Sequence, residues 1–120
     1  MGSEMCIRDR VISQYTDDTI HAGRYGGEEF LILFSGYTRK QAGKILEGML
    51  TNFRNQEYDF LPEDVIITFS AGFTYLDNKN IDVEGFIKCA DEALYYSKEH
   101  GRNQITYYND LRLRDMQVNR

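Results

Sequence analysis

The chain has 120 residues and a formal net charge of −5, and 42% of its residues are hydrophobic. This length and composition predict a folded globular domain or part of one, and they exclude a disordered chain. The acidic balance argues against a nucleic-acid partner, and the longest apolar run, at positions 30–34, is too short to cross a bilayer, so we expect no membrane contact. The two cysteines fit no metal-ligand spacing, which favours a cytoplasmic setting.

The first ten residues join poorly to the sequence that follows. Charges interrupt them and no apolar core of a secretory signal develops, so we expect residues 1–10 to be a foreign leader. We predict that residues 11–108 form the domain and that residues 109–120 form a polar C-terminal tail.

Residues 19–34 carry the pattern of a β-hairpin. Two runs of strand length flank Gly26 and Gly27, and a Gly-Gly pair supplies the positive φ angles of a tight two-residue turn. Glu28 is then at the tip, followed by Glu29. The glycines can simply provide the backbone conformation of the turn, with both carboxylates solvated. It can also be a site, because tip glycines let a ligand approach the backbone and a carboxylate there can bind Mg²⁺.

Two amphipathic helices are predicted after the hairpin. Thr38 and Gln41 match a capping box, and Asp82 and Gly101 are the expected N-cap and C-cap of the second helix. The apolar face of the first consists of Ala42, Ile45, Leu46, Met49, Leu50 and Phe53. That of the second consists of Val83, Phe86, Ile87, Ala90 and Leu94.

Two further strands complete the predicted elements. Residues 65–75 are β-branched and aromatic with little charge, which is typical of a buried strand, and residues 103–108 predict a short last strand. The order hairpin, helix, strand, helix, strand indicates an α/β or α+β fold, with a mixed β-sheet flanked by amphipathic helices.

Two cations mark the end of the second helix. Lys98 falls in its last turn and Arg102 follows Gly101. Cations at this place can simply complement the negative end of the helix dipole. Alternatively, Lys98 and Arg102, four residues apart, point the same way and bind phosphates, the lysine as a point charge and the arginine as a fork.

Three stretches, in this order, resemble the GGDEF family of diguanylate cyclases. RYGGEEF at residues 24–30 resembles its signature hairpin in the GGEEF variant, and ITFSAGF at residues 67–73 resembles its later core strand. ALYYSKEHGRNQI at residues 93–105 looks like its closing helix, turn and final strand. The resemblance covers about residues 19–108 and implies a palm-like, nucleotide-cyclase-like fold. It also implies a homodimer that condenses two GTP molecules into cyclic di-GMP and pyrophosphate.

The same resemblance implies a role for each matching residue. Glu28 and Glu29 are the catalytic acids it implies, with Glu28 also a Mg²⁺ ligand and two Mg²⁺ ions expected per GTP in a full domain. The residues implied to bind the substrate GTP are Gly26, Gly27, Lys98 and Arg102.

The family's first strand and first helix have no recognisable counterpart before Thr19. A metal ligand and the guanine-binding residues belong to them, so we expect the parent protein to be a diguanylate cyclase and this chain to be inactive alone. One alternative is a non-catalytic GGDEF-like module that binds GTP or a partner protein as a regulatory surface. Another is a related cyclase that makes a different cyclic dinucleotide.

Overall fold

A computed structural model describes residues 3–25, 29–55, 68–76 and 82–112. The chain divides into two units, Met1–Ile67 and Thr68–Arg120. The first contains α1 (Ser3–Ser13), β1 (Ile20–Arg24), β2 (Phe30–Phe34) and α2 (Arg39–Asn55). The second contains β3 (Ala71–Phe73), α3 (Val83–Glu99) and β4 (Ile105–Tyr107), and residues 108–112 are also helical. Among the described helices, none combines the length and apolar character that crossing a bilayer requires.

Helix α1 was not predicted, because charged residues interrupt its apolar ones and no clear helical face stands out in the sequence. In the structure Val11 and Ile12 are buried near its end. Just beyond it, Asn52 Nδ2 of α2 donates a hydrogen bond of 3.4 Å to the Tyr15 hydroxyl. These contacts tie the end of α1 to α2, whereas the assignment of residues 1–10 to a foreign leader stays a prediction.

The predicted hairpin is confirmed by antiparallel pairing of β1 with β2, which places Arg24 opposite Phe30. One step further, the Tyr25 N–H donates to the Glu29 carbonyl oxygen at 2.9 Å. Residues 26–28 therefore separate Tyr25 from Glu29, one residue more than the two-residue turn predicted from the glycines.

An aspartate turn fixes the start of the hairpin. Asp17 Oδ1 accepts hydrogen bonds from Thr19 Oγ1 at 2.6 Å, from Thr19 N at 2.7 Å and from Ile20 N at 3.0 Å. These bonds, led by that from the Thr19 hydroxyl, hold the pKa of Asp17 below its usual value. Because the single Thr19 hydroxyl hydrogen goes to Asp17, the Tyr37 hydroxyl donates to Thr19 Oγ1 at 2.8 Å. The beginning of β1 is thus tied to the residues that follow β2.

Helix α2 begins with the predicted capping box. Thr38 Oγ1 accepts from the Gln41 N–H at 3.1 Å, and Gln41 Oε1 accepts from the Thr38 N–H at 3.0 Å. Each bond satisfies an amide at the helix start that has no carbonyl partner one turn earlier. The predicted apolar face is confirmed at Ala42, Leu46, Met49, Leu50 and Phe53, which are buried, whereas Ile45 is only half-buried.

We expect Thr38→Ala to lower the free energy of unfolding by about 1 kcal/mol, because the Gln41 amide loses its side-chain acceptor. Urea unfolding followed by circular dichroism measures the change. Thr51→Ala is the matched control, because Thr51 is exposed in the interior of α2, where alanine favours the helix. Equal losses in the two variants would contradict a capping role for Thr38.

In the second unit, β3 and β4 pair in parallel, with Gly72 opposite Thr106. Helix α3 begins after its predicted N-cap, Asp82, whose Oδ1 accepts from the Gly85 N–H at 2.7 Å. A strand was predicted at residues 65–75. Among the described residues of this range, only those of β3 form a strand, and residues 65–67 lie outside the described part of the chain.

The apolar face predicted for α3 is wrong at its first residue, since Val83 is 72% exposed. The fully covered residues of this helix are Ala93 and Ser97. At Gly72 the absence of a side chain lets the backbone of α3 at Ala90 and Leu94 come very close to β3. Val83 is the first residue of the helix, two turns before this contact.

Candidate functional site

The predicted site residues are divided between the two units. Gly26, Gly27 and Glu28 lie outside the described residues, so their roles stay predictions. Glu29 belongs to the first unit, where it is half-buried directly before β2 and its carbonyl oxygen accepts from Tyr25. Within the described part of the chain, no three His, Cys, Asp or Glu side chains gather as metal ligands. Glu28, the predicted Mg²⁺ ligand, lies outside the described residues, so the Mg²⁺ site stays a prediction.

In the second unit, α3 ends in a backbone turn that brings Arg102 back to the helix. The helix ends at Glu99, His100 is its C-cap and Gly101 follows with a φ of 108°. The Arg102 N–H then donates to the Ser97 carbonyl oxygen at 2.9 Å, which is the long hydrogen bond of a Schellman motif. The predicted C-cap is therefore wrong by one residue, since His100 is the C-cap and Gly101 occupies the left-handed position after it.

Because of this turn, the four-residue spacing no longer explains why Lys98 and Arg102 should point the same way. A four-residue spacing places two side chains on one face only inside a helix, and Arg102 lies beyond it with a φ of 60°. The Schellman hydrogen bond instead holds the Arg102 backbone against Ser97, the residue before Lys98. The two exposed cationic side chains thus start from neighbouring points at the end of α3.

The loop after Gly101 is held in a strained conformation. Arg102 and Asn103 have φ values of 60° and 51°, a region that costs a non-glycine residue on the order of 1 kcal/mol. The Asn103 N–H donates to Ser70 Oγ at 3.1 Å, and the Gln104 carbonyl accepts from the Ala71 N–H at 2.9 Å. These bonds fix the loop to the start of β3 and so hold the backbone of Arg102 in place.

A chain of two buried hydroxyls joins α3 to both strands of its sheet. Ser97, which is fully buried, donates from Oγ to the Ala71 carbonyl oxygen at 2.8 Å. Since that bond uses its one hydrogen, the Thr106 hydroxyl donates to Ser97 Oγ at 2.7 Å. The residue directly before Lys98 is therefore fixed to β3 and β4. Ser97 is not among the residues predicted from sequence, although it lies three residues after Leu94 and so continues the apolar face predicted for α3.

Comparisons with known proteins place these features in a family. The family described as diguanylate cyclase, GGDEF domain, matches residues 7–104, a range that starts inside the predicted leader. Diguanylate cyclase A of Treponema denticola is 29% identical over 100 residues, which cover 81% of this chain and 26% of that protein. Diguanylate cyclase DosC of Shigella sonnei is 31% identical over 101 residues, which cover 80% of this chain and 22% of that protein. The chain thus spans about a quarter of the length of these relatives.

Solved structures give the same result. The GGDEF domain of DgcB from Caulobacter crescentus, solved in complex with c-di-GMP, matches with a TM-score of 0.80 and 28% identity over 89% of this chain and 64% of that one. The active GGEEF domain of a diguanylate cyclase from Vibrio cholerae matches with a TM-score of 0.76 and 27% identity over 88% of this chain and 67% of that one. These likenesses confirm the predicted α/β, nucleotide-cyclase-like fold. The chain therefore belongs to the GGDEF family of diguanylate cyclases.

Proposed function

We propose that this chain is the GTP-binding portion of a diguanylate cyclase whose parent protein condenses two GTP molecules into cyclic di-GMP and pyrophosphate. The observation that carries the proposal is the family match, which includes both RYGGEEF and the end of α3 in one continuous range, residues 7–104. In the proposed reaction two copies of the domain, working in the cytoplasm, each hold one GTP. The 3′-hydroxyl of each GTP attacks the α-phosphorus of the other and displaces pyrophosphate.

The end of α3 is suited to bind the triphosphate. Lys98 and Arg102 are exposed, and the Arg102 backbone is fixed by its bond to Ser97. An arginine whose backbone is already ordered loses less freedom on binding, and its guanidinium can donate two parallel hydrogen bonds to phosphate oxygens. Lys98 adds a compact positive charge next to it. Together these side chains would neutralise part of the negative charge on the nucleotide.

The hairpin of the first unit carries the other residues that the family motif implies. Gly26 and Gly27 would let GTP approach the backbone, Glu28 would bind Mg²⁺, and Glu29 would act as the second acid of the motif. Mg²⁺ bound there would supply positive charge next to the phosphate oxygens. We expect this chain alone to form no product, because neither a second metal-binding acid nor guanine-binding residues are recognisable before Thr19.

Titration of the full chain with GTP and Mg²⁺, followed by calorimetry, tests the proposal. We expect Arg102→Ala and Lys98→Ala each to weaken GTP binding by about tenfold, because each removes a charge-assisted contact with phosphate. Lys88→Ala is the matched control, since Lys88 is an exposed lysine of α3 that lies well before its end. Unchanged affinity in both test variants would contradict phosphate binding at the end of α3.

The parent protein tests the catalytic part of the proposal. Incubation with GTP and Mg²⁺ is expected to yield cyclic di-GMP, identified by chromatography and mass spectrometry. Binding of GTP without any product would favour the non-catalytic module. A different cyclic dinucleotide from a mixture of nucleotides would indicate the related cyclase instead.

A further inference from the structure

The side chain of Gln104 lies among three backbone carbonyls at the end of α3. Its Nε2 is 2.6 Å from the His100 carbonyl oxygen and 3.3 Å from those of Ser97 and Arg102. Carbonyl oxygens only accept hydrogen bonds, so all three require the nitrogen end of the amide to face them. One side chain therefore connects the last turn of the helix to the loop residue that carries the proposed phosphate-binding guanidinium.

These hydrogen bonds restrain a conformation that Arg102 does not favour by itself. Its φ of 60° lies in the left-handed region, where a side chain other than glycine is disfavoured. The Ser97 carbonyl holds the Arg102 N–H, and Gln104 holds its carbonyl oxygen, so both ends of the residue are restrained. The Gln104 carbonyl in turn accepts from the Ala71 N–H at 2.9 Å, so the glutamine acts from a fixed strand position.

The same hydrogen bonds change the electrostatics of the end of α3. Unpaired carbonyls at a helix C-terminus carry partial negative charge and repel anions. Gln104 Nε2 lies within 3.3 Å of three carbonyl oxygens at the end from which Lys98 and Arg102 extend, and that of Ser97 also accepts from the Arg102 N–H. Its amide hydrogens offset part of that negative potential, which favours a phosphate beside the two cations.

We infer that Gln104 is a positioning residue for GTP binding, which holds Arg102 in its strained conformation. This inference rests on the proposed function, because the value of positioning Arg102 depends on a phosphate that it binds. Gln104 is not among the site residues predicted from sequence, because its partners are backbone carbonyls and no side-chain motif indicates them.

Gln104→Met is the principal test, because methionine has a similar length but no hydrogen-bond donor. We expect the affinity of the full chain for GTP with Mg²⁺ to fall about fivefold, the effect of one lost net hydrogen bond. We also expect faster amide hydrogen exchange at Arg102. Gln14→Met is the matched control, because Gln14 is exposed in the first unit and the substitution is chemically the same.

A double-mutant cycle with Arg102→Ala separates positioning from a general structural role. If Gln104 acts through Arg102, Gln104→Met has little further effect on GTP affinity once the guanidinium is absent. The same fivefold loss in both backgrounds would overturn the inference. Should Gln104→Met fail to fold, Gln104→Asn keeps the amide on a shorter side chain that no longer reaches the carbonyls, and the same loss of affinity is expected.

The remaining outcomes distinguish this inference from the function on which it rests. If the unsubstituted chain binds GTP and Gln104→Met binds it equally well, the role of Gln104 is overturned and the proposed function stands. If the unsubstituted chain binds no GTP, the proposed phosphate site is overturned, and the positioning role with it.

Discussion

Replacing Gly72 by alanine is expected to destabilise the second unit by about 3 kcal/mol or more, at the upper end of what overpacking costs. A Cβ at this position would overlap the Ala90 carbonyl oxygen and the Leu94 amide nitrogen, and would lie 2.8 Å from the Ala93 carbonyl carbon. All three atoms belong to the backbone of α3, so no side chain can turn away to make room. The helix would have to move away from β3.

Denaturant unfolding of the full chain, together with hydrogen exchange along α3, measures this effect. Gly48→Ala is the matched control, because nothing lies within 4 Å of the Cβ that it adds to α2. There alanine should raise the free energy of unfolding by about 0.5–1 kcal/mol, since it restricts the unfolded chain and favours the helix. Unchanged exchange along α3 in Gly72→Ala would show that the close packing is not required.

The close approach at Gly72 also matters for the proposed phosphate site. It sets the distance of α3 from β3, and the hydrogen bonds at the end of the helix depend on that distance. If α3 moved outward, Ser97 would no longer reach the Ala71 carbonyl. The loop that carries Arg102 is fixed to the same strand through Ser70, so it would lose its alignment with the helix end. A glycine in the core strand thus supports the position of a cation many residues away.

The parts of the fold that could be predicted from sequence have short-range causes. The capping box joins Thr38 to Gln41, and the N-cap joins Asp82 to Gly85, so both donor and acceptor lie within one helical turn. The hairpin is marked in the same way by glycines between two strand-like runs. In each case the interacting groups are close in sequence, and residue type alone indicates the partner.

The parts that could not be predicted depend on contacts between distant segments. The close packing of Gly72 against α3 joins residues about twenty positions apart, and Val83 is exposed at the start of the helix although it fits the apolar pattern. The left-handed conformation of Arg102 depends on hydrogen bonds from the helix end and the strand. The roles of the candidate site residues came from the family resemblance, because charge and spacing equally allow solvated glutamates and a simple dipole interaction.

Ser97→Ala is expected to lower the free energy of unfolding by about 2 kcal/mol, because it removes a buried hydroxyl that donates to one polar group and accepts from another. The Ala71 carbonyl loses the donor at 2.8 Å, and the Thr106 hydroxyl loses its acceptor at 2.7 Å. Both groups lie in the covered region between α3 and its sheet, where Ser97 is 0% and Thr106 8% exposed. Water therefore cannot readily replace the lost hydroxyl.

A double-mutant cycle with Thr106→Val tests whether the two hydroxyls act as one unit. Thr106→Val also removes the hydroxyl that Ser97→Ala leaves without an acceptor. The loss of stability in the double variant should therefore be smaller than the sum of the two single losses by about 1 kcal/mol. Urea unfolding of the two single variants and the double variant gives this coupling. Ser13→Ala is the control, because Ser13 is exposed at the end of α1 and its removal should change stability by less than about 0.5 kcal/mol. Strict additivity would indicate that the hydroxyls stabilise the unit independently, and would contradict the hydrogen-bonded chain that fixes α3 directly before Lys98.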